Sequence, residues 1–192
     1  MKKQLIVAVL FTVVTTLLFG VMYPLGVTWL SHAVFPEKAN GSLIVSNGQV
    51  VGSKLIGQSF ASDRYFHSRP SAAGSGYDAS SSSPSNLGPT NQQLIDRVKQ
   101  DVAKLHQENP SAAIPADLVT SSGSGLDPDI SPAAAEFQVP RVSRVRGVDP
   151  EALRRLVAKH TELRQWGIFG EPRVHVLELN LELDSIATHS KQ

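Results

Sequence analysis

Between Ser121 and Pro132 the chain carries its densest run of residues able to hold a ligand. It reads Ser121-Ser-Gly-Ser-Gly125, then Leu126-Asp-Pro-Asp-Ile130, then Ser131-Pro132. Glycines let backbone N–H groups approach a ligand closely, and Ser131-Pro132 supplies a helix N-terminus that favours an anion. Asp127 and Asp129 are carboxylates of the kind that bind hard cations. The run has no G-x-x-x-x-G-K-[ST] pattern, no third glycine for a dinucleotide fingerprint and no calcium-loop spacing. The plainer alternative is an Asp-Pro turn feeding a helix cap. The residues by themselves leave both readings open.

Serine is abundant, so nucleophilic catalysis is a second possibility, and a membrane-tethered serine hydrolase through Ser124 is one form of it. Neither a G-x-S-x-G elbow nor an S-x-x-K pattern accompanies it, and solvated loop serines are the simpler account. The histidines (His32, His67, His106, His160, His175 and His189) are scattered, with no H-E-x-x-H pair, which argues against a zinc site. His160 reads as a core-edge residue. Arg69 before Pro70 either clamps an acidic partner or holds its own loop through carbonyls, and the second is preferred. Arg141, Arg144 and Arg146 read as a solvated helix face.

The elements that must position these groups follow from periodicity and punctuation. Ser42 to Val51 reads as a hairpin turning at Asn47-Gly48, because both turn residues tolerate positive φ. The stretch from Ser53 to Phe60 can add one more short strand. From Asp63 to Thr90, Ser, Gly, Pro and Asn dominate, which implies a long surface loop, with Tyr65, Phe66 and Tyr77 as the parts that pack down. Thr90 with Gln93 fits a capping box opening a helix that carries Leu94, Val98, Val102 and Leu105 on one face and stops before Pro110. Ser131-Pro132 opens a second helix, which Pro140 must bend or interrupt and Gly147 ends. Asp149-Pro150 caps a third, with Leu153, Leu156 and Val157 inward. Leu177, Leu179, Leu181 and Leu183 alternate with Glu178, Asn180, Glu182 and Asp184, which predicts a terminal strand with a bulge near Val176.

Ahead of all this, from Leu5 to Leu30, no side chain is charged. A helix needs about 20 apolar residues to cross a bilayer core. Thr12, Thr15 and Thr16 can return their hydroxyls to backbone carbonyls inside such a helix. Gly20, Tyr23-Pro24 and Gly26 point to close helix contact or a kink. A cleaved signal peptide has a shorter apolar core and a small-residue cleavage site, and a buried soluble helix is rarely apolar all round. Lys2 and Lys3 precede the run while Glu37 and Lys38 cancel after it, so the positive-inside rule puts the N-terminus in the cytoplasm. The expected layout is a single-pass anchor over residues 1–36 in the cell inner membrane and an extracytoplasmic α+β domain over residues 37–192. That domain should hold a small sheet and about three helices.

The 192 residues carry a net charge of +1 without a Lys/Arg block, which leaves nucleic-acid binding nothing to rest on. Cysteine is absent, so disulfides, thiolate metal sites and thiol catalysis are excluded.

Several ordered tracts stand out together: Asn40-Gly-Ser-Leu-Ile44, Gly52-Ser-Lys-Leu-Ile-Gly-Gln58 with Phe60, Tyr65-Phe-His-Ser-Arg-Pro-Ser-Ala72, and Ser85-Asn-Leu-Gly-Pro-Thr-Asn91. Further on come Leu118 to Ala135, Gln138-Val-Pro-Arg-Val142 and Val176 to Asp184. In this order they resemble one family, the C subunit of the bacterial Kdp potassium-transporting P-type ATPase. The main departures are a conservative Asp129 and the short polar tail after Asp184. The resemblance implies a non-catalytic, single-span accessory subunit assembled with a channel-like subunit, a P-type ATPase subunit and a small membrane peptide, in a complex that imports potassium at the expense of ATP. It further implies a catalytic chaperone that raises the ATPase subunit's affinity for ATP. By a loose likeness to the signature loop of ABC ATPases, nucleotide contact would fall on Ser121, Ser122, Gly123, Ser124 and Gly125. The flanking charges place that loop outside while ATP is inside, so the two expectations pull apart. They leave assembly and stabilisation as the preferred role, and a free-standing anchored binding module as a competing class.

Overall fold

A long helical rod opens the chain. In the computed structural model, which describes residues 1–46 and 48–189, the rod runs over Lys2–Val34 and buries none of its apolar side chains. It is α-helical over Lys2–Thr15 (α1) and Tyr23–Val34 (α2), and π-helical between them over Thr16–Met22. The disturbance expected near Gly20 and Pro24 takes this form. Pro24 has no N–H to give, and Tyr23 N–H bonds Leu18 O, one residue further back than an α-helix allows. Thr12 and Thr15 return their hydroxyls to Ala8 O and Phe11 O at 2.9 and 2.8 Å, as expected of threonines in a greasy helix.

A short turn of helix, Pro36–Ala39 (α3), leads into the pair β1 (Leu43–Ser46) and β2 (Gln49–Ser53). The expected hairpin is present, though the Asn47 half of its turn lies outside the described residues. The chain divides into two units, Met1–Val51 and Gly52–Gln192.

In the second unit, Asn91 rather than Thr90 caps α4 (Gln92–Glu108), accepting from Gln93 N–H at 2.8 Å. Ser131 accepts from Ala134 N–H and opens α5 (Pro132–Arg146); Asp149 accepts from Ala152 N–H and opens α6 (Pro150–Lys159). Pro140 does not interrupt α5, and Gly147 ends it at φ +68°. A three-stranded antiparallel sheet, in the order β3 (Asp129–Ile130), β5 (Arg173–His175), β4 (Thr161–Glu162), lies beside these helices. The stretch after Ser53 adds no strand: it turns at residues 54–56.

The terminal strand is the clearest correction. Val176–His189 is a helix, α7. Val176, Leu179, Asn180 and Leu183, each at 0 or 1 % exposure, are buried with Leu177, while Leu181 is only half-buried. The alternating leucines satisfied both periods, and Leu and Glu are strong helix formers with no β-branched residue among them to favour a strand. The core gathers Phe66, Ile130, Phe137, Val142, Leu153, Val174, Leu179 and Leu183 between α5, α6, α7 and β5. The outcome is α+β, with one more helix than the sequence pattern implies.

Candidate functional site

The Ser-rich stretch 63–90 holds the centre of the second unit, because its first part is a ribbon of backbone gripped by side chains from elsewhere. Asn180 on α7 bonds Phe66 through both backbone groups, N–H and C=O, at 2.9 Å each. Gln138 on α5 does the same for His67, at 2.8 and 3.1 Å. Arg141, one turn along α5, donates to Asp63 O and Tyr65 O at 2.5 and 2.9 Å and pairs with Glu108 at 2.8 Å. Arg146 bonds Arg64 O, pairs with Asp184 at 2.7 Å and lies over the Tyr65 ring. Of the three arginines expected on a solvated face, only Arg144 is exposed; Arg141 and Arg146 are braces. A carbonyl-rich ribbon inside a fold must find donors, and guanidinium groups supply several at once.

Further along the ribbon, Arg69 pairs with Asp127 at 3.0 Å and reaches Thr120 Oγ1 and Ser121 O at 3.4 Å. It does both things weighed for it, binding an acid and a carbonyl, and both partners are internal. Tyr77 donates its hydroxyl to Arg69 O; burial pushes that phenol up to about 12, so it remains a donor. Burial also raises the Asp129 carboxyl, against the pull of His175 and Arg173.

The Gly/Ser loop is clasped against the same ribbon. Ser71 Oγ donates to Gly125 O at 2.5 Å, Ser82 Oγ to Ser124 O at 2.9 Å, and Ser122 N–H to Pro70 O at 3.3 Å. Gly125 sits at φ +69°, where a Cβ would fall 2.7 Å from both Ala73 N and Ser83 O. Ser122 and Gly125 are buried and Ser121 half-buried, leaving Gly123 and Ser124 exposed at the tip. Ser124 Oγ accepts from Leu126 N–H at 3.0 Å and lies 3.3 Å from Ser122 Oγ. His67, His160 and His175 are bonded to Ser62 O, Glu182 and Lys54 O rather than to these serines. Behind the ribbon lies a cleft of about 350 Å³ bordered by Phe60, His67, Tyr77, Lys104, Leu105 and Glu108.

Four of the tracts on which the resemblance rests meet here: Tyr65 to Ala72, Leu118 to Ala135, Gln138 to Val142 and Val176 to Asp184. A family model described as "KdpC: K+-transporting ATPase, c chain" matches residues 5–185. The chain belongs to the KdpC family. It is 61% identical over 184 residues to a potassium-transporting ATPase KdpC subunit of Koribacter versatilis, covering 96% of this chain and 95% of that one. It is 55% identical over 197 residues to the subunit of that name from Rhodopseudomonas palustris, covering 96% and 99%. To one from Caulobacter vibrioides it is 58% identical over 171 residues, covering 88% and 87%.

For this KdpC family member, sequence reasoning singled out the Gly/Ser loop and missed the groups that hold the ribbon it is clasped against. Asn180, Gln138 and Arg141 are buried polar side chains on otherwise apolar helix faces. That is the one signal that marks them: a polar residue at a core position must have a partner, and here each bonds the backbone of the ribbon. Chemically the arrangement is a clasp. What it presents outward is the short Gly123-Ser124 tip.

Proposed function

We propose that the chain is a non-catalytic, membrane-tethered accessory subunit of an ATP-driven potassium-import complex, which it serves by docking to and stabilising its partners. The observation that carries this is the family match across residues 5–185, which takes in the apolar rod and the folded unit together. Relatives over nearly the whole length are named as subunits of a potassium-transporting ATPase. The partners implied by the resemblance are a channel-like subunit, a P-type ATPase subunit and a small membrane peptide, with potassium as the transported ion. Lys2–Val34 is the anchor, at 33 residues long enough to cross a bilayer with tilt. With Lys2 and Lys3 on the cytoplasmic side, residues 37–192 stand outside.

In that topology Ser121, Ser122, Gly123, Ser124 and Gly125 are separated from cytoplasmic ATP, and the hydrogen bonds they spend on the ribbon favour a structural duty. Direct nucleotide contact, as the family's description as a catalytic chaperone implies, is a second reading, favoured by the exposure of Gly123 and Ser124. Mild-detergent pull-down with mass spectrometry of the partners tests the first reading. Co-purification of a large ATPase and loss of growth at low potassium on deletion are expected; a solitary chain with potassium scavenging intact in its absence overturns it. Cross-linking of the Gly123 tip to an ATP analogue in sealed right-side-out membranes, where residues 37–192 face the added analogue, tests contact itself. Labelling only after the membranes are opened overturns the topology.

A further inference from the structure

The turn between β4 and β5 is fully built yet leaves its large apolar side chains in water. Leu163, Trp166, Ile168 and Phe169 are 78, 88, 72 and 58 % exposed. Gln165 N–H donates to Phe169 O at 2.9 Å, Phe169 N–H to Gln165 O at 3.0 Å and Gly167 N–H to Arg164 O at 3.0 Å. Trp166 is held at φ +53°, and its ring meets that of Phe169 edge to face, with centroids 5.9 Å apart. A tip that places a tryptophan in the left-handed region so that it faces solvent is a presented surface rather than an accident of folding.

The charged side chains of the stalk below it are all paired, two arginines against three carboxylates. Arg164 pairs with Glu171 at 2.6 Å, and Arg173 with Glu162 at 2.6 Å and Asp129 at 3.1 Å. The chain also enters this unit at the base of the same hairpin. Lys54 O accepts from His175 Nε2 at 2.9 Å, and Lys54 Nζ pairs with Glu178 at 2.7 Å. From His175 the strand can carry Trp166 no further than about 30 Å, at ~3.3 Å per residue. The connector over residues 35–51 spans at most about 60 Å if fully extended, and less with β1 and β2 paired. A tether of that length keeps the tip within reach of the bilayer in which Lys2–Val34 is read as a span.

We propose that the tip formed by Leu163, Trp166, Ile168 and Phe169 is an interfacial anchor that dips into the headgroup region of the membrane. Tryptophan suits that depth, with an apolar ring and one N–H to leave wet. A convex apolar tip on a stalk whose charges are paired enters lipid without needing a shaped socket or leaving an unpaired charge. The inference rests on the reading of Lys2–Val34 as a membrane span.

The chain has two tryptophans, Trp29 and Trp166, so each can be read alone. The full chain carrying Trp29→Phe, in phosphatidylcholine vesicles brominated at shallow acyl positions, should lose roughly half its Trp166 emission and resist iodide in the water phase. The reciprocal Trp166→Phe chain reports Trp29 in the span. Quenching of Trp29 by bromolipid, with Trp166 unquenched and open to iodide, overturns the proposal and leaves the span standing. Trp166 shielded from both quenchers means that it is covered by protein, which also overturns it. Trp29 unquenched sinks the span and the proposal together. Leu163→Ser with Ile168→Ser, added to Trp29→Phe, should restore iodide access with unchanged far-UV circular dichroism, since neither side chain packs in the core; no change in access counts against the anchor.

Discussion

Asn180 and Phe66 are bonded as two residues of neighbouring strands would be, except that one partner is a side chain. Asn180 Nδ2 donates to Phe66 O and Asn180 Oδ1 accepts from Phe66 N–H, both at 2.9 Å, and both residues are at most 1 % exposed. The amide therefore stands in for a ladder that the ribbon lacks. Asn180→Leu keeps the volume and strands two buried backbone groups, at a cost of about 2–4 kcal/mol. Urea unfolding of the detergent-solubilised chain followed by circular dichroism measures it. A loss below about 1 kcal/mol would mean that Phe66 is held by its ring alone.

Asn180 also explains why α7 was not legible. Counting leucines alone gives a period of two, but the buried set is Val176, Leu177, Leu179, Asn180 and Leu183, and its one polar member was assigned to the water side. The elements that were legible are those whose signals are local: the uncharged rod, the Ser131 and Asp149 caps and the Gly147 stop. What was not legible depends on distant partners. Arg141 and Arg146 are surface residues by type, and distant partners draw them in: the carbonyls of Asp63, Arg64 and Tyr65, and the carboxylates of Glu108 and Asp184. The Gly/Ser loop was visible as a site, whereas its engagement with Ser71 and Ser82 required the fold.

That engagement separates two glycines two residues apart. Gly125→Ala forces a side chain into the left-handed region and against Ala73 and Ser83, and should cost several kcal/mol, on the order of 2–4. At Gly123 a Cβ meets nothing within 4 Å, so Gly123→Ala should stay within about 0.5 kcal/mol of the parent. Thermal melts of the two variants decide this. Gly123→Ala is also the variant for testing nucleotide contact, because a change in ATP cross-linking there would not trace to a damaged fold.

Arg141 and Glu108 form the most enclosed ion pair among the described residues, with side chains 5 and 11 % exposed. Arg141→Met leaves the Glu108 carboxylate and the carbonyls of Asp63 and Tyr65 without their donor, which should cost about 3–5 kcal/mol. Adding Glu108→Leu removes the stranded charge and should recover part of the loss, though not the share owed to the carbonyls. Arg141→Lys should rescue little, since one ammonium cannot reproduce donation from Nε and both terminal nitrogens. Denaturant midpoints for the four chains test the order; equal stability of Arg141→Met and the double variant would mean that the stranded Glu108 carboxylate costs nothing.

His67 gives the fold a dependence on acid. Burial holds its imidazole below the ordinary histidine range, and the neighbouring Arg141 pushes it further the same way. The unfolded chain, with this histidine near 6.5, therefore takes up the proton first as pH falls. Stability from the neutral ring is complete above about pH 6.5 and is lost progressively below it, until the folded form is protonated too. His67→Gln keeps the backbone bonds to Gln138, since those use the main chain of residue 67. The variant should therefore melt with a flatter profile between about pH 6.5 and 5 than the parent, and with a similar slope above pH 7. Melting curves across that range test this, and parallel profiles throughout would show that another group sets the acid limb.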